Sequence, residues 1–150
     1  MEIVTTFPGG RHYVMGPTTV NANTVEITVP DSKVWIVKYV YATYRASATA
    51  GTRYFTVRFM SGSTLKYPAT NTSLTASQRA SQNFESGGVS TNTTRLGIDG
   101  SINNTCLNET LPSNFMLFGG EKIKIYDSAN IDATGDSIVY LIGINEFPYR

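Results

Sequence analysis

The chain has 150 residues, of which 15% are charged, with a formal net charge of +1 and a single cysteine, Cys106. That length suits one domain, 1–150, able to bury roughly 70% of the surface its unfolded form exposes. Near-neutrality excludes a strong field steering the protein to nucleic acid or an anionic membrane, and one cysteine excludes an intrachain disulfide or a cysteine-built zinc site.

The first segment, Met1 to Met15, carries Phe7, Tyr13 and Val14 around Pro8-Gly9-Gly10. It reads as an N-terminal arm that either docks in a groove on a neighbouring subunit or closes its own sandwich. It lacks the basic start, apolar centre and small-residue cleavage site of a signal peptide, and no run of about 18 apolar residues occurs. Synthesis in a cytoplasm, with no membrane partner, is the expectation.

Thr24 to Val29 alternates polar and apolar residues and ends at the turn formers Pro30-Asp31-Ser32-Lys33. Val34 to Tyr44 follows as a long β-branched and aromatic run, so the two read as a hairpin. Strict alternation puts Val34, Ile36, Val40 and Ala42 on one face, and Trp35, Val37, Tyr39 and Tyr41 on the other. Both faces are apolar. A second sheet, a long loop or a neighbouring subunit must then cover the one turned from the core. Thr52 to Met60 repeats the pattern, with Phe55, Val57 and Phe59 opposite Tyr54, Thr56 and Arg58, and Ser61-Gly62-Ser63 turns the chain.

Residues 66–111 are rich in Ser, Thr and Asn, with short strand candidates at Gln82 to Glu85 and Arg95 to Ile98 and a turn at Asp99-Gly100. ASQRASQNFES, ending at Ser86, allows at most one turn of helix, since it has no apolar stripe. After it, Phe115 to Phe118 reads as a strand, Gly119-Gly120 as a hairpin turn, EKIKIY as a half-buried strand, and Ser137 to Phe147 as the last strand. About eight strands with little helix imply an all-β fold, an antiparallel β-sandwich with a jelly roll as the expected wiring.

The candidate chemistry is sparse. His12 is the sole histidine and has no nucleophile motif near it, while Cys106 has no cationic neighbour in sequence to lower its pKa. Asp127, Asp132 and Asp136 could gather around calcium, but their spacing is not that of an EF-hand, and Asp-based turns are the simpler reading. Glu85, Glu109, Glu121 and Glu146 form no sequence-local acid/base pair. Arg45, Arg53, Arg58 and Lys66 read as scattered ion pairs rather than a nucleic-acid platform. The sequons at Asn71, Asn92, Asn103 and Asn108 follow from the abundance of Asn, Ser and Thr. No enzyme activity, metal or cofactor is expected.

Nine tyrosines and seven phenylalanines remain to be placed. Trp35, Phe55, Phe59 and Phe115 read as core. Tyr39, Tyr41, Tyr44 and Tyr54, with Phe7, Tyr13 and Val14 of the arm, read as interface candidates, because a phenol buries its ring while its hydroxyl finds a polar partner. The same rings could stack on a glycan.

The succession TVEITVPDSKVWIVKYVYATY, GTRYFTVRF and LPSNFMLFGGEKIKIYDSANIDATGDSIVYLIGINEF resembles the small all-β structural proteins of tailed double-stranded DNA bacteriophages that decorate or cement a capsid. The resemblance covers the first 60 residues and the last 40. It implies a jelly-roll-like virion protein on the capsid surface, made in the host cytoplasm and used in many copies, with the major capsid protein as partner. The two apolar faces of Val34 to Tyr44 give the further expectation of a homo-oligomer, with a trimer suggested by the capsid analogy. A receptor- or glycan-binding module of a tail or head fibre is the alternative.

Overall fold

The computed structural model describes residues 2–87 and 104–149, so the expected strand at Arg95 to Ile98 and the turn at Asp99-Gly100 lie outside the described residues. The elements are β1 (Glu2–Phe7), β2 (Gly10–Val20), β3 (Thr24–Thr28), β4 (Lys33–Arg45), β5 (Arg53–Ser61) and β6 (Thr64–Leu65), then β7 (Thr72–Leu74), β8 (Arg79–Ser86), β9 (Thr105–Leu111), β10 (Met116–Phe118), β11 (Lys122–Asp127) and β12 (Ser137–Pro148). Among the described residues every regular element is a strand. The segment weighed as a turn of helix, ASQRASQNFES, instead supplies β8: Ala80, Gln82 and Phe84 alternate inward, a period of two that its polar composition disguises.

One sheet has the order β1-β2-β12-β4-β8-β9, with β10 continuing the row of β8 along β4. The other has β3-β11-β5-β6, and β7 shares the β6 edge of β5. Within them, β2-β12-β4-β8 faces β3-β11-β5-β7, and the chain changes sheet between β2 and β3, β3 and β4, β4 and β5, β7 and β8, β10 and β11, and β11 and β12. That is jelly-roll wiring. The four remaining strands extend edges, and β8 with β9 is a parallel pair.

This wiring corrects two expected hairpins. β3 and β4 lie in different sheets, and so do β10 and β11, so the turns after Val29 and at Gly119-Gly120 are arches across the sandwich. A tight turn with positive φ, as at Gly120, serves either purpose, and alternation does not say which sheet a strand joins. The two arches touch: a Cβ on Gly119 would overlap the backbone of Asp31.

Residues 2–15 are likewise built into the fold. β1 and β2 form a hairpin through Pro8-Gly9, and β2 pairs with β12 from Arg11 to Val20, so residues 2–15 close their own sheet rather than extend as an arm.

β4 explains the doubly apolar run. Gly143 faces Tyr39 and Ile144 faces Val37, leaving Lys38 without a partner, and this bulge exchanges the two faces of the strand. Trp35, Val37, Val40, Ala42 and Tyr44 therefore all reach the core. Val34, Ile36, Tyr39 and Tyr41 point away, which replaces the grouping that strict alternation gives. Burial of such β-branched and aromatic side chains stabilises by about 1.5–3 kcal/mol each. Phe59, Phe84, Phe115 and Tyr67 join the two sheets by edge-on ring contacts 5.2–6.1 Å apart.

Candidate functional site: an aromatic ridge on the outer sheet face

The outer face of the seven-stranded sheet carries a row of apolar side chains across five strands. Phe7 of β1 faces Gly10 of β2, where a Cβ would overlap the Phe147 ring, so Phe7 and Phe147 meet over the glycine at 5.6 Å, edge to face. Phe147 faces Val34, and Val34 faces Phe118. Phe118 meets Tyr149 at 6.2 Å. Ile36 and Met116 stand behind them as a facing pair. Met116 is 40% exposed, Phe118 41% and Tyr149 62%, so the ridge is open at its β10 end. Beside its Phe147 end lies a cleft of about 480 Å³ lined by Thr6, Arg11, Lys33, Phe147 and Pro148.

Under the ridge, Glu146 fixes the hairpin to the core. Its Oε1 accepts from Arg11 Nε at 2.7 Å and its Oε2 from Trp35 Nε1 at 2.8 Å. Burial pushes this carboxyl up, but the bonds from Trp35 and Arg11 outweigh it and leave the group below the usual carboxylate range.

The sequence-predicted interface residues divide among several surfaces. Phe7 belongs to the ridge. Val14, Tyr39 and Tyr41 share its sheet face: Tyr39 and Tyr41 stack at 5.1 Å, and a Cβ on Gly143, the residue facing both Val14 and Tyr39, would overlap the Tyr39 ring. Tyr13 turns to the inner side, where Arg11 stands 4.9 Å over its ring, and burial with a hydrogen bond to Glu2 pushes its hydroxyl up to about 12. Tyr54 is 42% exposed on the opposite sheet. Tyr44 is a correction, being fully buried, with its hydroxyl donating to Asp136 at 2.6 Å. The bulge at Lys38 turned it inward.

Reading the sequence missed Phe118, Met116, Phe147 and Tyr149, which complete the ridge. Phe147 sits where alternation alone, counted from the buried Ile144, would place an outward ring. Nothing in the sequence, however, says that Phe118 lies one strand from Val34.

The three aspartates serve as loop anchors. Asp127 accepts from the Tyr54, Ala129 and Ile131 N–H groups. Asp132 accepts from the Ser47 and Thr49 hydroxyls and the Gly135 N–H, bonds that hold its pKa at about 2. Asp136 is tied to Arg53, Tyr44 and the Ser47 N–H. No three His, Cys, Asp or Glu groups among the described residues converge as a metal site. Cys106 is half-buried, and burial pushes its thiol up, away from the thiolate that nucleophilic chemistry needs. His12 Nδ1 pairs with Asn145 Oδ1 at 2.9 Å. No family profile, curated protein or solved structure matches the chain.

Proposed function

We propose that this chain is a non-enzymatic structural protein of a bacteriophage particle, a head decoration or cement protein that binds the major capsid protein and reinforces the shell. The observation carrying this reading is the open end of the aromatic ridge, Met116, Phe118 and Tyr149, on the outside of a jelly roll. Aromatic and methionine side chains are enriched at the centres of protein interfaces, and a cluster this exposed calls for a partner. The low charge fits burial of neutral surface, so attachment depends only mildly on salt.

Purified protein added to undecorated heads tests this directly. Phe118→Asp lowers occupancy at a given concentration at least about tenfold, the effect of one truncated anchor, while thermal stability changes little because the ring is already exposed. Wild-type protein that leaves heads bare, or a folded variant that decorates them as fully as wild type, sinks the reading.

The stacked Tyr39 and Tyr41, beside Asn83 facing Tyr41, support a second reading as a glycan-binding module of a tail or head fibre. Glycan-array binding lost in Tyr41→Ala and kept in Phe118→Asp favours that one instead.

A further inference from the structure

A strand edge facing water is a template for another strand, and proteins ordinarily block such edges with charge, side-chain caps or very short strands. Most edges here are blocked. On β10, Lys66 Nζ donates to the Met116 carbonyl at 2.7 Å, while Glu121 accepts from the Phe118 N–H at 2.8 Å and returns its own N–H to the Phe118 carbonyl at 2.9 Å. β3 carries Glu26 between Lys122 and Lys124. β9 carries Glu109, and its Thr110 carbonyl takes the Tyr67 hydroxyl at 3.0 Å. β6 and β7 have two and three residues.

β1 has none of these devices. It runs six residues with no charge after Glu2 and no proline, and among the described residues only β2 pairs with it. The two-residue turn Pro8-Gly9 makes Phe7 and Gly10 the hydrogen-bonded pair closing the hairpin, so alternation sends the N–H and C=O groups of Glu2, Val4 and Thr6 outward.

We propose that the outer edge of β1 pairs antiparallel with β1 of a second copy about a two-fold axis, Val4 facing Val4, joining two seven-stranded sheets into one. The axis stands perpendicular to the sheet, so each copy keeps its inner face on the same side, and facing residues must share parity. Centring on Val4 uses all three outward residues and forms about six backbone hydrogen bonds, two for each facing pair. It also sets Glu2 opposite Thr6 of the other copy, whose in-chain neighbour is Arg11. The carboxylate of each copy thus approaches the 41% exposed guanidinium of the other, a complementary contact made twice by symmetry. A register centred on Thr5 would face Val4 with Thr6 and form only about four backbone bonds, because Glu2 would then fall opposite Pro8, which has no N–H. An isologous edge closes as a dimer, in place of the trimer that the capsid analogy suggests.

This inference is separate from the proposed role on a particle, because edge pairing is read in purified protein without heads. Sedimentation velocity across about 1–200 μM should show a monomer–dimer equilibrium, since an interface of this size falls in about the micromolar class. Hydrogen exchange should show protection at the Glu2, Val4 and Thr6 amides that grows with concentration. Val4→Pro removes an outward donor that the hairpin does not use, and should raise the dissociation constant at least about tenfold. Val4→Thr should leave it within about twofold. Glu2→Lys, which sets a cation near Arg11 of the other copy, should also weaken pairing, and it decides the matter if Val4→Pro does not fold. A monomer throughout the range, a trimer, or folded Val4→Pro and Glu2→Lys proteins that associate like wild type would overturn the proposal.

Discussion

Replacing Arg53 with methionine lowers the stability of the fold by about 3–5 kcal/mol, the loss typical of removing one member of a buried ion pair. Both side chains of the Arg53–Asp136 pair are fully buried. All five guanidinium donors are engaged: Nε and one Nη2 hydrogen with Asp136 at 3.1 and 3.0 Å, the other Nη2 hydrogen with Ser47 Oγ, and Nη1 with the carbonyls of Thr49 and Gly51. The carboxylate is equally saturated, since it also takes the Tyr44 hydroxyl and the Ser47 N–H. This clasp joins the loop after β4 to the loop before β12. A methionine fills the volume but strands the carboxylate and releases two loop carbonyls. At roughly 2–4 °C per kcal/mol for a domain near this size, the midpoint of thermal unfolding falls by about 6–20 °C. A fall under about 3 °C would mean that the pair contributes no more than an exposed one.

The same pair sets part of the acid limit of the fold. Burial raises the Asp136 pKa, but the bonds from Arg53, Ser47 and Tyr44 prevail and hold it below the usual value; Asp132 sits at about 2. A carboxyl depressed in the folded state contributes stability that is present above its unfolded value near 3.8 and is lost as pH falls through the folded value. Wild-type stability therefore drops as pH goes from about 5 toward 2. In Arg53→Met the depressing partner is gone and burial prevails, so Asp136 binds its proton in the folded state more readily than in the unfolded. The deficit against wild type should then shrink on acidification from pH 7 to pH 4. A deficit constant across that range would show that Arg53 acts by packing alone.

How much of this could be read from sequence depends on whether the signal is local. The strand character of Thr24 to Val29, Val34 to Tyr44, Thr52 to Met60 and Lys122 to Tyr126 is written in period-two alternation, and Phe55, Val57 and Phe59 are buried where that pattern puts them. The sheet each strand joins is a long-range choice. Turns that look like hairpins became arches, and one unpaired residue, Lys38, moved Tyr44 from the expected surface to the core. Arg53 did carry a signal, since it shares parity with the buried row of β5, but an arginine there reads as a surface residue until Asp136 is seen opposite it. Of the ridge, Phe7 was within reach. Phe118 and Val34 meet only because β10 joins the sheet opposite to that of β11, which no pattern within Met116 to Phe118 encodes.

Gln82 shows the same limit at the centre of the molecule and gives the second large effect. It points inward from β8 and is fully buried in an apolar core, where a polar side chain needs several partners. Its partners lie in the other sheet. The edge of β5 is paired by β7 as far as Phe55 and by β6 from Met60, so the backbone between them lacks a strand neighbour. The Gln82 amide stands in for that strand: Oε1 accepts from the Val57 N–H at 3.1 Å, while Nε2 lies 3.0 Å from the Phe55 carbonyl, 2.8 Å from that of Thr70 and 3.0 Å from the Thr72 hydroxyl. Gln82→Leu conserves shape but orphans a buried N–H and carbonyls together, at about 1–3 kcal/mol for each unsatisfied group, so a loss of about 3 kcal/mol or more is expected in urea unfolding. Gln82→Glu keeps the acceptor for Val57 and discards the donors. Its buried carboxyl has a raised pKa, so that variant is least stable at neutral pH and recovers as the solution is acidified toward the ordinary carboxylate range, where the protonated acid regains one donor. Equal stability of Gln82→Leu and wild type would mean that water reaches the β5 edge, and a Gln82→Glu protein whose stability does not rise on acidification would place that side chain outside the core.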